Sequence, residues 1–301
     1  HAGAEGMKIL LLGKNGQVGW ELQRALAPLG ELIALDRRGS DGLCGDLERL
    51  DALADTVQRL APDLVVNAAA YTAVDQAESD AERARRINAD AVGVLAGQAA
   101  ELGALLVHYS TDYVFDGSGE RPWCEDDTPA PLSIYGATKL EGEEAIRASG
   151  CDHLIFRTSW VHAARGGNFA RTILRLAAER ERLTVIDDQI GAPTGADLIA
   201  DVSAHAIRRT MGDRGHGGTY HLAAGGQTSW RGYASFVIDR TRSGGRTLAV
   251  REIVPIPASN YPTPAARPLN SRLDTRRLRE RFDLHLPDWR DGVARMLDEL
   301  G

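Results

Sequence analysis

The chain has 301 residues, of which 43% are hydrophobic and 26% charged, and its formal net charge at pH 7 is -7. This length and apolar content can bury a sizeable core, while the net negative charge argues against a nucleic-acid partner. No run of about 18 or more apolar residues predicts a membrane-spanning helix, so a membrane partner is not expected either.

The chain ends and the cysteines bear on the cellular setting. Residues 1–6, HAGAEG, look like the remnant of a cleaved expression tag and are left out of the predicted fold. The start of the chain lacks the basic and apolar regions of a signal peptide. Cys44, Cys124 and Cys151 match no disulfide or metal spacing. We therefore expect a cytoplasmic protein.

From residue 7 onward, apolar runs alternate with amphipathic stretches. MKILLLG is a short apolar run ending in glycine, which predicts a buried parallel strand. The alternation predicts an α/β fold with a Rossmann-type doubly wound parallel sheet. The further predicted elements are a helix from Val18 to Leu29, the strand ELIALD, the helix DALADTVQRLA, the strand PDLVVNAAA, a long helix around Ala77 to Leu102, the strand ALLVHYST, a helix in SIYGATKLEGEEAI and the strand HLIFRTS.

Beyond about Trp160 the alternation becomes less regular. The sequence predicts a helix in NFARTILRLAAERERL, a short strand in TVID and an amphipathic helix in GADLIADVSAHAIRRTM. VPIPASNYPTPAARPLN predicts a folded extended loop in which Tyr261 packs, and RLDTRRLRERF a solvated helix face. We predict a dinucleotide-binding domain at 7–160, completed by about 197–222. Residues 161–196 and 223–301 would form a smaller, irregular α+β substrate domain at the carboxyl ends of the strands.

The stretch GKNGQVG places Gly13, Gly16 and Gly19 directly after the first strand and at the start of a helix. This is a variant of the dinucleotide fingerprint, in which glycine allows a tight turn and close approach to a pyrophosphate at the helix N-terminus. A glycine turn that serves packing alone is the alternative.

The choice between NADH and NADPH stays open at this stage. Asp36 ends the second strand, where a carboxylate can accept hydrogen bonds from a ribose 2′-hydroxyl. Arg37, Arg38 and Lys14 could instead pair with a 2′-phosphate. Asp46 fits either a contact to the adenine amino group or a surface turn. The predicted cofactor-binding residues are Gly13, Lys14, Asn15, Gly16, Gln17, Val18, Gly19, Asp36, Arg37, Asp46, Leu47, Ala68, Ala69, Ala70, Thr72, Tyr135 and Lys139.

A helix predicted from SIYGATKLEGEEAI would carry Tyr135 and Lys139 on one face, one turn apart, with Ser133 as its N-cap. An adjacent ammonium favours phenolate, so we expect Lys139 to lower the pKa of Tyr135 from about 10. Y-x-x-x-K alone is also common on surface helices. Thr111 ends a predicted strand 24 residues before Tyr135, and this layout behind a glycine loop resembles that of the short-chain dehydrogenase/reductases.

Further motifs resemble one family within that superfamily, the extended-type dTDP-4-dehydrorhamnose reductases. The resemblance extends from Met7 to the C-terminal LPDWRDGVARMLDEL. Two positions differ from the family pattern: Tyr71 stands where a histidine is common, and His162 stands where a tyrosine is common. The motifs are GKNGQVGWELQRAL, NAAAYTAVDQAES, STDYVFDG, YGATKLEGE, FRTSWV, DDQIGAPT and YPTPAARPLNSRLD.

The resemblance implies reduction of the C4 ketone of dTDP-4-dehydro-6-deoxy-L-mannose to dTDP-L-rhamnose, a precursor of cell-surface polysaccharide, with NADPH or NADH. Hydride addition drives negative charge onto the carbonyl oxygen, which must be protonated or stabilised. Tyr135 would donate the proton, Lys139 would keep the phenol acidic and bond the nicotinamide ribose, and Thr111 would hydrogen-bond the same oxygen.

The resemblance also implies that the second domain binds the dTDP group. Arg267 would contact the diphosphate, because its planar fork can pair two oxygens. A packed aromatic remains the alternative for Trp160 and a surface ion pair for Arg267. Trp160 and Val161 would border the sugar, and Gln189, Pro193 and Thr194 would shape the nucleotide side. The implied substrate-binding residues are Thr111, Asp112, Tyr113, Trp160, Val161, Gln189, Pro193, Thr194 and Arg267.

A divalent cation such as Mg²⁺ is associated with a dimer contact in some family members, which leaves a homodimer open. The candidate ligands are Glu21 and Asp197, although two solvated helix acids are the favoured interpretation.

Two other functions stay open. A regulatory subunit would bind the dinucleotide without turnover, but it has no reason to keep Thr111, Tyr135 and Lys139. The second alternative function is that of an epimerase or dehydratase. Asp112 lies where the catalytic acid of a dehydratase often lies. The glutamate expected beside that acid is replaced in YVFDG.

Overall fold

The structure is a computed structural model that describes residues 6–300, so all of the tag-like segment except Gly6 lies outside the described residues. The strands are β1 Lys8–Leu12, β2 Glu31–Leu35, β3 Leu64–Asn67, β4 Leu105–Thr111, β5 His153–Thr158, β6 Val161–His162, β7 Arg182–Ile186, β8 Ile190–Gly191, β9 Thr194–Gly195, β10 Gly218–His221, β11 Thr228–Ser229 and β12 Glu252–Ile256. The helices are α1 Gln17–Leu26, α2 Leu50–Leu60, α3 Val74–Ala77, α4 Ala81–Arg85, α5 Ala91–Leu102, α6 Ile134–Ser149, α7 Phe169–Glu179, α8 Ala196–Gly212, α9 Trp230–Ser243, α10 Arg276–Phe282 and α11 Trp289–Glu299.

Six parallel strands form the central sheet in the order β2-β1-β3-β4-β5-β10. β3 and β4 are buried along their whole length, as expected of strands covered by helices on both faces. The predicted Rossmann-type parallel sheet is confirmed. Strands are added in opposite directions on either side of β1 and β3, so a crevice opens there at the carboxyl ends.

The long helix predicted around Ala77 to Leu102 is interrupted in the structure. α3 ends at Ala77, a new helix begins at Ala81, and one wide turn at Arg86–Asp90 joins α4 to α5. Asn88 lies in this turn, and its side-chain amide bonds the backbone N–H and carbonyl of Tyr71. This contact with Tyr71 cannot be read from the periodicity of the sequence, and it occurs at the wider turn.

The irregular second half has an apolar core of its own, built mainly from α7, α9, α11 and β7. The sequence analysis missed α9, and also β12, which pairs in parallel with β7. In contrast, β10 joins the central sheet and α8 packs against α1. The division into two domains stays a prediction.

Two expectations about the C-terminal region need correction. Tyr261 does not pack, because its side chain is 57% exposed. The arginines of α10 are exposed as expected, but Leu278 and Phe282 on the opposite face are fully buried in the core beside the sheet. Among residues 6–300, no helix is long and apolar enough to cross a membrane.

Candidate active site

Two of the three loop glycines are required by close backbone contacts. Gly13 has φ +83°, and a Cβ there would lie 2.7 Å from the backbone nitrogen of Ala69. A Cβ at Gly19 would lie 2.0 Å from the carbonyl oxygen of Gly13. Gly16 precedes α1, and a Cβ there would meet only ordinary contacts. The loop is therefore held tightly against the end of β3, with the N-terminus of α1 facing the crevice.

A cleft of about 820 Å³ runs along the carboxyl ends of the strands. Lys14 and Gly19 do not line it, although both were predicted to bind the cofactor. Residues that the sequence analysis missed include Glu48, Ile87, Ser110 and Thr158; of these, Ser110 and Thr158 could have been found because they lie at strand ends. The predicted cofactor residues that line the cleft are Gly13, Asn15, Gly16, Gln17, Val18, Asp36, Arg37, Asp46, Leu47, Ala68, Ala69, Ala70, Thr72, Tyr135 and Lys139.

The Asp36 carboxylate lies at one end of this cleft, next to Arg37 and Arg38. One oxygen accepts from the backbone N–H of Arg38 and the other from Asn15 Nδ2, both at 2.8 Å. The backbone hydrogen bond from Arg38 is the main reason why the pKa of Asp36 is lowered. Asp46 also lines the cleft while its side chain accepts from the backbone of Glu48, so both of its interpretations persist.

Tyr135 and Lys139 reach the cleft from α6, whose N-cap is Ser133 as predicted. The expectation that Lys139 lowers the pKa of Tyr135 is wrong. Burial raises the pKa of Tyr135 to about 12, a hydrogen bond with Thr111 opposes this, and the charge of Asp112 adds to it. The phenol is therefore protonated at neutral pH.

Lys139 lines the cleft, and its amino group is bonded to β4. Its Nζ donates to the backbone carbonyl of Tyr109 at 2.6 Å and lies 3.3 Å from His108 Nε2. Burial lowers the pKa of Lys139 to about 8, against the opposing charge of Glu143. That carboxylate is itself paired with buried Arg157 at 2.6 Å.

Thr111 and Asp112 lie where β4 ends, as predicted. The hydroxyl of Thr111 accepts from the backbone N–H of Tyr113 and lies within hydrogen-bonding distance, 3.1 Å, of Asp112 Oδ1. Burial raises the pKa of Asp112 to about 6. The rings of Tyr113 and Tyr135 meet edge to face, with centroids 5.6 Å apart. The structure thus brings Thr111, Asp112, Tyr113 and Tyr135 together.

Of the residues implied for the sugar, Val161 lines the cleft and Trp160 is stacked on Trp230 with ring centroids 3.6 Å apart. Trp230 also donates from Nε1 to Gln189 Oε1 at 3.0 Å, and sequence reasoning missed it. Trp160 has φ +48°, a strained conformation for a non-glycine residue. The packed-aromatic alternative for Trp160 therefore describes this structure.

The residues implied for the nucleotide make contacts within the protein. Pro193 and Thr194 are buried, and the Thr194 hydroxyl donates to Ala192 O and accepts from the backbone N–H of Ala224. Arg267 pairs with both carboxylate oxygens of Asp75, each at 2.9 Å. The ion-pair alternative for Arg267 is thus present, with Asp75 of α3 as the partner.

The two candidate metal ligands, Glu21 and Asp197, each take part in an ion pair within the chain. Glu21 pairs with Arg24 at 3.5 Å, and Asp197 pairs with Arg295 at 3.5 Å while accepting from the backbone N–H of Leu198. In the part of the chain that the structure describes, no group of three or more His, Cys, Asp or Glu side chains could hold a metal ion. A Mg²⁺ site at a dimer contact stays a prediction from the family resemblance.

The two departures from the family pattern have different surroundings. Tyr71 donates from its hydroxyl to Asp80 at 3.1 Å, beside the small residues that line the cleft. His162 is buried in the second half, and within residues 6–300 neither ring nitrogen has a hydrogen-bond partner.

The sequence and the fold were compared with known proteins. Residues 7–301 match the family model described as "RmlD substrate binding domain". The chain is 56% identical over 294 residues to the curated dTDP-4-dehydrorhamnose reductase of Shigella flexneri, covering 98% of each chain. A dTDP-4-dehydrorhamnose reductase structure from Clostridium acetobutylicum superposes with a TM-score of 0.87 at 33% identity, covering 98% of this chain and 99% of that one. The enzyme from Bacillus anthracis, solved in complex with NADP, has a TM-score of 0.87 at 32% identity with the same coverage.

Proposed function

The chain belongs to the RmlD substrate binding domain family, and from this premise we infer that it is an NAD(P)H-dependent dTDP-4-dehydrorhamnose reductase. It reduces the C4 ketone of dTDP-4-dehydro-6-deoxy-L-mannose and forms dTDP-L-rhamnose. The observation that carries this conclusion is a single cleft, lined at one end by the glycine loop and at the other by Tyr135 and Lys139.

The residues of the reacting end have complementary roles in this proposal. When bound, the reduced nicotinamide supplies hydride to C4 of the sugar. Tyr135 donates a proton to the carbonyl oxygen, and its raised pKa keeps it in the protonated form that a donor needs. Thr111, whose hydroxyl is close enough to Tyr135 to lower the pKa of the phenol, stabilises the same oxygen. Lys139 lies on the cleft wall, where its amino group can meet a ribose hydroxyl.

At the opposite end, the glycine loop and the N-terminus of α1 would hold the pyrophosphate of NADPH or NADH. Gly13 is suited to this because the loop and Ala69 are in close backbone contact. Asp36 would accept from the ribose 2′-hydroxyl of NADH, while Arg37 and Arg38 would face the 2′-phosphate of NADPH. Lys14 would contribute charge from outside the cleft.

For the substrate, we propose that residues 161–196 and 223–301 bind the dTDP group and that residues 7–160, with about 197–222, bind the dinucleotide. Arg267 would contact the diphosphate, and the support is its chemistry and its place beside Tyr113, whose ring touches Tyr135. Such a contact would have to replace at least part of the pairing between Arg267 and Asp75. Trp160 and Val161 would border the sugar, and Gln189, Pro193 and Thr194 would shape the nucleotide side.

We further propose that the reaction takes place in the cytoplasm, where nucleotide sugars and reduced nicotinamide are made. A homodimer stays a prediction from the family resemblance.

The function is tested by forming the product. The 4-keto sugar nucleotide is made from dTDP-glucose with the upstream dehydratase and epimerase, and this protein is then added with NADPH or NADH. We expect loss of reduced-nicotinamide absorbance together with a product of the mass of dTDP-rhamnose. NADPH that stabilises the protein thermally but is not oxidised would support the regulatory-subunit alternative instead. A product that keeps the ketone would point to an epimerase or dehydratase.

A further inference from the structure

His108 is a buried titratable residue that the proposed chemistry does not use. It lies within β4 and is 1% exposed. Its Nε2 is 3.3 Å from Lys139 Nζ, and its Nδ1 is 3.3 Å from Asn67 Nδ2. A neutral imidazole has one donor and one acceptor nitrogen, so these neighbours decide which nitrogen carries the hydrogen.

The Asn67 amide determines that choice. Its oxygen accepts from the backbone N–H of Ala69 at 3.2 Å. Because a backbone N–H can only donate, the amide oxygen must face Ala69 and the amide NH₂ must face His108. His108 Nδ1 is therefore an acceptor. Burial, followed by the nearby charge of Lys139, keeps the pKa of His108 well below its ordinary value, so the neutral ring carries its hydrogen on Nε2.

This direction of hydrogen bonding reaches Lys139. The Nε2–H of His108 points at Lys139 Nζ, and only a neutral amine has a lone pair to accept it. If Lys139 were an ammonium, its N–H would face the Nε2–H of His108, and two donors cannot form a hydrogen bond. The bond from Lys139 to the carbonyl of Tyr109 is a donation that either form can make, so it does not oppose the amine.

We propose that Asn67 and His108 are positioning residues that act through Lys139, favouring its amine form and orienting Nζ at the wall of the cleft. The functional meaning rests on the proposed reductase reaction, in which Lys139 contacts the cofactor. Two further ionisable side chains of α6, Tyr135 and Glu143, lie within one turn of Lys139 along the helix. Tyr135 is neutral, and Glu143 favours the ammonium but is paired with Arg157 of β5.

The chain contains only three lysines, Lys8, Lys14 and Lys139, so lysine titration can be followed by ¹³C NMR in the whole ligand-free protein. A Lys139→Arg variant identifies the Lys139 signal. We expect this signal to titrate near pH 8. Long-range ¹H–¹⁵N spectra of the imidazole should show His108 with a protonated Nε2 and a bare Nδ1. The opposite tautomer would overturn the proposal.

Three variants distinguish the effect of the hydrogen bonds on the pKa of Lys139 from the effects of added charge and of burial. His108→Gln can offer an amide oxygen to an ammonium without adding charge, and Asn67→Asp reverses the chain because a carboxylate accepts from His108. Both should raise the Lys139 midpoint by about one pH unit, a tenfold change, or more. Asn88→Asp is the control, because Asn88 is equally buried and bonds Thr138 of α6 but does not touch His108.

An unchanged midpoint in His108→Gln, or an equal rise in Asn67→Asp and Asn88→Asp, would contradict the proposal. If a new carboxylate prevents folding, His108→Gln and the wild-type tautomer still decide it. These measurements use no substrate, so their failure leaves the reductase assignment standing, and failure of the product assay leaves the tautomer result standing.

Discussion

At the scale of single residues, the spacing of Tyr135 and Lys139 predicts the position of the two side chains but not their pKa values. The spacing places both side chains on one face of α6, and both reach the cleft. Their electrostatics are set by other neighbours. Burial raises the pKa of Tyr135, and Lys139 is bonded to β4 and not to the phenol.

Replacing Tyr135 with Phe should lower turnover by roughly 10²- to 10⁴-fold, the usual contribution of a positioned general acid. NADPH should still bind, because the ring and the glycine loop remain. Turnover is measured with the 4-keto sugar nucleotide, and NADPH affinity serves as the control. Turnover near that of the wild type would remove Tyr135 from the mechanism.

The Asp36 carboxylate leads to a prediction about cofactor preference. We expect NADH and NADPH to be used within about tenfold of each other, or about 1.4 kcal/mol. Asp36→Ala should shift the ratio of kcat/KM toward NADPH, since it removes a ribose acceptor and a charge that repels a 2′-phosphate. It also frees Asn15 Nδ2 and the N–H of Arg38, both now bonded to Asp36. An unchanged ratio would mean that Asp36 does not face the ribose.

Lys139 makes stability depend on pH in a direction that can be worked out. Its pKa falls from 10.5 to about 8 on folding, so between these values the unfolded chain binds more protons than the folded one. The cost of burying Lys139 is therefore full below about pH 8 and declines as the pH rises toward 10.5. Lys139→Met should raise Tm most at neutral pH, with a gain that shrinks in alkaline solution, and it should weaken NADPH binding. A gain in Tm that grows with pH would contradict the assignment.

At the scale of elements, the glycine loop shows how a strand, a turn and a helix together make a binding surface. β1 and β3 bring the loop and Ala69 together, and the helix N-terminus follows within a few residues. The sequence predicted this arrangement because the turn chemistry is local. It did not predict which glycines the packing requires, since Gly13 is constrained by Ala69 after β3 and Gly19 by the carbonyl oxygen of Gly13.

Gly19→Ala and Gly16→Ala form a matched pair that tests this arrangement. A Cβ at Gly19 would lie 2.0 Å from Gly13 O, whereas one at Gly16 would lie 3.5 Å from the same atom. Gly19→Ala should therefore lower Tm and weaken NADPH binding by tenfold or more, on the order of 1.4 kcal/mol or above. Gly16→Ala should fold with nearly unchanged Tm, so thermal melts of the two variants separate loop packing from ligand contact. Equal melting temperatures for the two would refute the steric argument.

At the scale of the whole molecule, segments that are distant in the sequence make contact near Tyr113 and Tyr135. Arg267 lies 192 residues after Asp75 and pairs with both of its oxygens, which ties the segment after β12 to α3. The same arginine lies beside Tyr113. A ligand that uses Arg267 would thus act on a contact between the two halves of the chain.

Arg267→Ala and Asp75→Asn should have different effects if Arg267 binds the diphosphate. Loss of Arg267 should cost on the order of 2 to 5 kcal/mol in kcat/KM, as expected for loss of a charge-assisted pair. Asp75→Asn should keep substrate affinity or improve it, because it weakens the competing pair but leaves the guanidinium. Equal losses in both variants would show that the pair only holds the fold, and an undiminished kcat/KM in Arg267→Ala would exclude the diphosphate contact.

The sequence by itself determined the parallel sheet, the glycine loop, the strand-end Thr111 and the helix that carries Tyr135 and Lys139. These features depend on apolar periodicity, turn chemistry and spacing within one element, which are local properties of the chain. Only the tertiary structure decided the interruption before α4, the stacking of Trp160 on Trp230, the pairing of Arg267 with Asp75 and the contact between Lys139 and His108. Lys139 and His108 are 31 residues apart, and Trp230 lies in a helix that the sequence analysis did not find. Protonation and pairing depend on which distant groups share a low-dielectric interior, and that is settled only when the elements pack.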